Sequence, residues 1–243
     1  MQELRPNVAL SYYSLSVFQK PLLDSFDQTV NYHDALLPSY RGLMTTAWFI
    51  YRGEQESGFT FHHMNEALDD GNILIQGSVP VPSDARLTSI ARAKKAGAIP
   101  HLPQLMRMPD NRQTRRPQTG SSSYFSRADL MGITRIDAPE TLELAEFKRR
   151  LDAFGAIQLR HNGRWYSVTD WITSANAKNS LSFRTRDRQR FTPTRIEGLP
   201  LWLHRLTTPN RHAEKPSELF QNSQPGEDAG ATGSPVRTRD DPE

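Results

Sequence analysis

The dipeptide Asn162-Gly163 constrains this chain more than any other feature. It suits the two positive φ angles of a type I′ turn, and it stands between Ala156 to His161 and Arg164 to Trp171, so those segments are expected to pair as a hairpin. A helix is predicted just before it. Asp137 can cap that helix with Glu140 completing a capping box, Leu144, Phe147, Leu151 and Phe154 recur at helical spacing, and Gly155 supplies the stop. Lys148, Arg149 and Arg150 give the helix a basic face, while Arg160, His161 and Arg164 gather at the hairpin tip. A basic helix feeding a basic hairpin reads as a surface for phosphates.

Charge is unevenly spread along the 243 residues, whose net charge is only +3. Residues 1–90 carry five Lys/Arg against ten Asp/Glu, whereas 91–127 carry eight against Asp110 alone. Arginine outnumbers lysine about four to one, and the guanidinium fork binds phosphate in a bidentate manner. A chain without cysteine has no disulfide, thiolate zinc site or cysteine nucleophile. No apolar run reaches the length of a membrane span, and Met1 to Pro6 lacks a signal-peptide layout, so a cytoplasmic protein with no membrane partner is expected.

Val8 to Phe18 reads as a first strand. Asp34 to Ala47 offers Leu36, Tyr40, Leu43 and Ala47 at helical spacing, with Pro38 near the helix start. Trp48 to Tyr51 and Ile73 to Val81 read as strands separated by a polar loop, and Asp69-Asp70-Gly71 as a turn. From Ala98 to Ser126 the pattern dissolves into Pro, Gln, Ser, Gly and Arg, which predicts a mobile basic insertion carrying Arg112, Arg115 and Arg116. Leu130 to Ile136 resumes as a strand. Arg184, Arg186, Arg188 and Arg190 alternate, and an extended strand would set them on one side. The resulting order predicts an α+β, ferredoxin-like or RNA-recognition-type domain over 1–208, including the insertion 98–126, followed by a disordered acidic tail over 209–243.

Two stretches resemble a known family. Tyr32-His33-Asp34-Ala35-Leu36-Leu37, just after the first strand, is similar to the early motif of the RAMP-superfamily subunit that caps the five-prime handle of CRISPR RNA in type IV effector complexes. The helix ending at Phe154, the loop Arg160-His161-Asn162-Gly163, Val168 to Trp171, and Arg186 to Arg188 with Thr192 to Arg195 resemble that family's closing unit. The family's loop carries two or more glycines, whereas only Gly163 stands here. The resemblance implies a non-enzymatic RNA-binding subunit, with CRISPR RNA and the backbone subunits of the complex as partners and target DNA as a further one. Arg112, Arg115, Arg116, Arg160, His161, Gly163, Arg164, Arg184, Arg186 and Arg188 are then the RNA-binding residues, with His33 and Arg41 near the RNA.

Catalytic alternatives rest on fewer residues. His33, Tyr40 and Arg41 can be arranged as the acid, base and phosphate-stabilising groups of a metal-independent endoribonuclease of the same superfamily. Arg184 to Arg190 against duplex phosphates would instead make a DNA-binding accessory or replication protein of a mobile element. His62-His63 with Glu66 offers metal ligands without a third at usual spacing, and Ser121 to Ser123 lack a nucleophile elbow. No cofactor, metal or catalytic residue is therefore expected.

Overall fold

A computed structural model describes residues 8–14, 16–107, 116–173 and 182–197. The N-terminal half is built on a mixed sheet. β1 (Val8–Tyr12) runs through the short α1 (Lys20–Leu23) into β2 (Gln28–His33), and β1 and β2 pair in parallel. β4 (Glu56–His63) and β5 (Ile73–Pro80) then add antiparallel neighbours, giving the order β1-β2-β4-β5. β4 is almost wholly buried. Its sequence reads as a polar loop, yet its polar groups are satisfied inside: the Thr60 hydroxyl donates to the Ala35 carbonyl (2.6 Å) and accepts from the Leu37 amide (3.2 Å).

The connection from β2 to β4 departs most from the sequence reading. Residues 34–40 form a loop with a cis Leu37-Pro38 bond, β3 (Arg41–Gly42) follows, and the helix, α2 (Thr45–Arg52), begins only after it. Trp48 to Tyr51, expected as a strand, lies within α2. The helix buries Thr45, Thr46, Ala47, Trp48, Phe49 and Tyr51, and a helix covered on most sides carries a continuous apolar run that periodicity cannot tell from a strand.

The expected insertion is largely ordered where it is described. α3 (Leu87–Ala98) and α4 (Leu102–Arg107) cover one face of the first sheet, where Ala98 and Leu105 join Val30, Phe59, Phe61 and Leu74 in a core. Arg116 exchanges backbone hydrogen bonds with Ile73 (2.7 and 3.0 Å), and β6 (Tyr124–Phe125) pairs in parallel with β3. Leu130 to Thr134 belongs to a helix, α5 (Arg127–Thr134), capped by Ser126 and Asp129, before the two-residue β7 (Arg135–Ile136).

A second sheet closes the described chain. α6 (Leu144–Phe154) leads into β8 (Ile157–His161) and β9 (Arg164–Thr173), and β10 (Phe183–Arg184) and β11 (Arg190–Glu197) complete the order β10-β11-β9-β8-β7. The hairpin is the expected one, with Asn162 and Gly163 at φ 48° and 76°. The predicted capping box is replaced: Pro139–Thr141 forms a 3-10 turn, Glu143 precedes α6, and Asp137 pairs with Arg160 at 3.1 Å. α6 joins the two halves, since Phe154 and Ala153 pack with Trp48 and Phe125 while Phe147 and Leu151 pack under β8, β9 and β11. Two main sheets, each with a parallel pair, and the small parallel β3-β6 pair replace the single antiparallel sheet of a ferredoxin-like domain. The 209–243 tail lies outside the described residues.

Candidate active site

Strand alternation builds the site from β2. Asn31 and His33 are two residues apart and so share a face, and Asn31 stands opposite His62 of β4 in the register. Asp69, in the loop before β5, reaches all three. His33 Nδ1 lies 3.5 Å from Asp69 Oδ2, His62 Nε2 lies 3.6 Å from Asp69 Oδ1, and Asn31 Nδ2 donates to Asp69 Oδ1 at 3.3 Å. Asn31 Nδ2 also stands 3.2 Å from His62 Nε2.

Each imidazole is held from behind. His33 Nε2 donates to the Tyr40 carbonyl (2.7 Å) and His62 Nδ1 to the His63 carbonyl (2.8 Å). Two glycines make the approach of Asp69 feasible. The Gly42 amide donates to Asp69 Oδ2 at 2.9 Å, and a Cβ on Gly42, whose φ is 91°, would stand 2.3 Å from the Phe125 carbonyl oxygen. A Cβ on Gly71 would stand 1.8 Å from the His63 carbonyl oxygen.

Burial alone would raise the Asp69 carboxyl, but the His33 and His62 imidazoles and the Gly42 amide outweigh it and hold the group down to about 2. A second buried pair stands behind the first. Asp34 accepts from the Thr45 and Thr46 hydroxyls (2.6 and 2.8 Å), and Lys94, fully buried, donates to the Asp34 carbonyl (2.5 Å) and the Thr46 hydroxyl (2.8 Å). Burial works against ionisation of Asp34, yet Lys94 and His33 with the two hydroxyls hold it below its ordinary range. Burial pushes Lys94 down to about 8, against the opposing field of Asp34.

A cavity of about 570 Å³ opens onto this cluster, lined among others by Tyr13, Asn31, His33, Asp69, Tyr124 and Arg127. It combines a carboxylate–imidazole pair for proton transfer with an amide able to donate to a developing oxyanion. Among the described residues, the ring nitrogens of His33 and His62 contact carbonyls, Asp69 and Asn31.

Comparison with known proteins bears on the same stretch. Residues 1–104 match the formyl transferase family. That stretch contains Asn31, His33, His62 and Asp69. The chain is 36% identical over 142 residues to the GDP-perosamine N-formyltransferase of Brucella melitensis, a match that covers 58% of this chain and 55% of that protein. The chain thus spans about half the length of this curated relative. Among solved structures it resembles a sugar N-formyltransferase from a Shewanella species (TM-score 0.54, 20% identity, 71% of each chain). It also resembles HypX from Aquifex aeolicus, solved with tetrahydrofolic acid (TM-score 0.57, 16% identity, 76% of this chain and 35% of HypX). These likenesses show a formyltransferase fold.

The CRISPR reading is overturned by these matches, and with it the non-enzymatic role, the RNA and effector-subunit partners, the target DNA, and the endoribonuclease and mobile-element alternatives. The physical reason lies in Tyr32 to Leu37. Those residues are not the start of a helix; they are the end of a central strand and a proline loop that presents His33 to Asp69. Tyr40, assigned to a helix, sits at φ 58° with its ring stacked on Phe49 at 3.9 Å.

The residues expected at RNA are scattered. Arg112 and Arg115 lie outside the described residues, and the Arg116 backbone is tied to Ile73. Arg160, His161, Gly163 and Arg164 are on the second sheet, with Arg160 paired to Asp137 and His161 edge-on to Phe183. Arg184 is on β10, Arg186 pairs with Glu143 at 2.6 Å, and Arg188 occupies a turn at φ 61°, so the alternating arginines do not form one extended row. Of those that are described, only His33 and Arg41 lie at the cavity cluster or its border, Arg41 through a 2.6 Å pair with Asp70. Sequence reading missed Asn31, and it took His62 only as a possible metal ligand and Asp69 only as part of a turn. The available signal was Asn31-Tyr32-His33 at the end of one strand, which places two polar side chains on one face of a strand otherwise rich in buried residues. No described helix is long and apolar enough to cross a membrane.

Proposed function

We propose that this chain transfers a formyl group from a formylated tetrahydrofolate to the amine of an amino sugar carried on a nucleotide. The observation that carries the reading is the Asn31, His33 and Asp69 cluster on a cavity, within the stretch that matches formyl transferases. The Brucella relative supports the acceptor class, and the likeness to HypX with its bound tetrahydrofolic acid supports the donor class. Such substrates support a cytoplasmic reaction.

The geometry assigns a role to each group. The acceptor amine attacks the formyl carbon, and Asn31 exchanges its 3.3 Å contact with Asp69 for the oxyanion that forms. The amine proton passes to His33 Nδ1, where the Asp69 carboxylate steadies the imidazolium, and Nε2 stays on the Tyr40 carbonyl. Collapse of the tetrahedral centre breaks the bond from the formyl carbon to the donor nitrogen, which takes the proton from His33. One C–N bond forms, one breaks, and the proton moves from acceptor to donor.

The test is mass spectrometry after incubation of the chain with a formylated tetrahydrofolate and GDP-perosamine. A formylated sugar nucleotide is expected, with formation abolished by His33→Ala. Equal product with and without the protein, or with His33→Ala, refutes the reading.

A further inference from the structure

The loop that carries Asp69 is held from outside the cluster by the side chain of Gln118, with Arg41 beside it. Gln118 Nε2 donates to the carbonyls of both Asp69 and Gly71, each at 2.8 Å. Its Oε1 accepts from Arg41 Nε (3.2 Å) and from the second guanidinium nitrogen (2.7 Å), and Arg41 reaches on to Asp70 at 2.6 Å. One amide thus spans three successive residues of the turn, two directly and one through Arg41. Asp69 itself sits at φ 53°, a conformation that a non-glycine residue keeps only where its surroundings impose it. Arg41 is next to Gly42, whose amide binds the Asp69 carboxylate, so the same circuit grips that carboxylate from both sides.

We propose that Gln118 is a positioning residue: its side-chain amide clamps the Asp69-Asp70-Gly71 turn and thereby sets where the Asp69 carboxylate stands against His33. This rests on the reading above for its catalytic consequence, but not for its geometry. The charged and titratable groups that face Asp69 are His33 from β2 and His62 from β4, with Arg41 and Asp70 at the rim. A turn freed from the clamp lets the carboxylate leave both imidazoles and the Gly42 amide, and the influences that depress its proton affinity weaken together.

The experiment compares Gln118→Met, Gln118→Glu and the milder Gln118→Asn in the full chain. Gln118→Met keeps length and removes every hydrogen bond. Gln118→Glu keeps an acceptor for Arg41 but sets oxygen against the two carbonyls, so a residue that served only Arg41 would tolerate it. Two readouts are taken: the Asp69 carboxyl titration by carbon-detected NMR, and kcat and KM with a formylated tetrahydrofolate and GDP-perosamine. Both Gln118→Met and Gln118→Glu should titrate at higher pH than the parent, with kcat lowered by up to about 10²-fold and KM little changed. Gln118→Asn, too short to span both carbonyls, should move the same way by less, and it carries the test if the other two do not fold. An Asp69 titration identical to the parent in every folded variant overturns the clamp, whatever the kinetics. If the titration moves but the parent transfers no formyl group, the clamp stands and the functional reading falls. If transfer occurs and the titration does not move, the reverse holds.

Discussion

Replacing Asp69 by asparagine keeps the shape of the side chain and removes its charge, which isolates what the charge contributes. The carboxyl is held down to about 2 from an ordinary 3.8, and its side chain is only 14% exposed, so little of this preference is lost to solvent. Each tenfold difference in proton affinity is worth about 1.4 kcal/mol, so the ionised group stabilises the native state by roughly 2 to 3 kcal/mol at neutral pH. Because the folded group is the stronger acid, that contribution is complete above the unfolded value. It fades as pH falls from about 4 to about 2, where the native carboxylate is finally protonated. Urea unfolding of the parent and Asp69→Asn from pH 7 to pH 2 should therefore show a gap of roughly 2 to 3 kcal/mol that closes across that window. A gap of constant size at every pH would refute the reasoning, since it would mean that the carboxylate matters through shape and hydrogen bonding and not through its charge against His33 and His62.

Three further outcomes follow from the same contacts. Gly71→Ala puts a Cβ 1.8 Å from the His63 carbonyl oxygen, so it should destabilise the fold by about 3 kcal/mol or more in urea unfolding and abolish formyl transfer by displacing Asp69. Lys94, pushed down to about 8 from 10.5, binds its proton less tightly folded than unfolded; stability should rise between about pH 8 and pH 10, and Lys94→Met should lack that rise in denaturation at the two pH values. Arg150, 3% exposed, donates to Glu146 (2.7 Å) and the Ile133 carbonyl (3.2 Å), and Arg150→Met should cost about 1 to 2 kcal/mol in thermal or urea unfolding, since the Ile133 carbonyl loses this donor while Glu146 keeps Arg149 and the Tyr51 hydroxyl.

What the sequence makes legible is what local chemistry decides. Asn162-Gly163 needs positive φ wherever it stands, and Gly155 ends its helix at φ 72°, so the helix and hairpin of the second sheet follow from a few neighbouring residues. α2 is obscure for the opposite reason. Its residues are buried on most sides, and the burial comes from Phe125, Phe154 and Leu130, which lie many residues away. β4 likewise reads as a polar loop because Ser57, Thr60, His62 and His63 find their surroundings only once β2 and β5 flank it.

The site is less legible still, because no element holds more than part of it. Asn31 and His33 come from β2, His62 from β4, Asp69 from a turn, the amide that meets Asp69 from Gly42, and the clamp from Gln118, which the sequence assigns to a mobile insertion. A glutamine in a stretch of Pro, Arg and Ser has no local signature that separates it from a solvated loop. Its function appears only where Arg116 pairs with Ile73, two residues from Gly71 and four from Asp69, whose carbonyls Gln118 then reaches. Arg41 shows the same limit from the other side. Grouped with His33 and Tyr40, its guanidinium suggests phosphate chemistry when read as sequence, whereas in the fold it binds Asp70 and the Gln118 oxygen and helps hold the Asp69 turn in place.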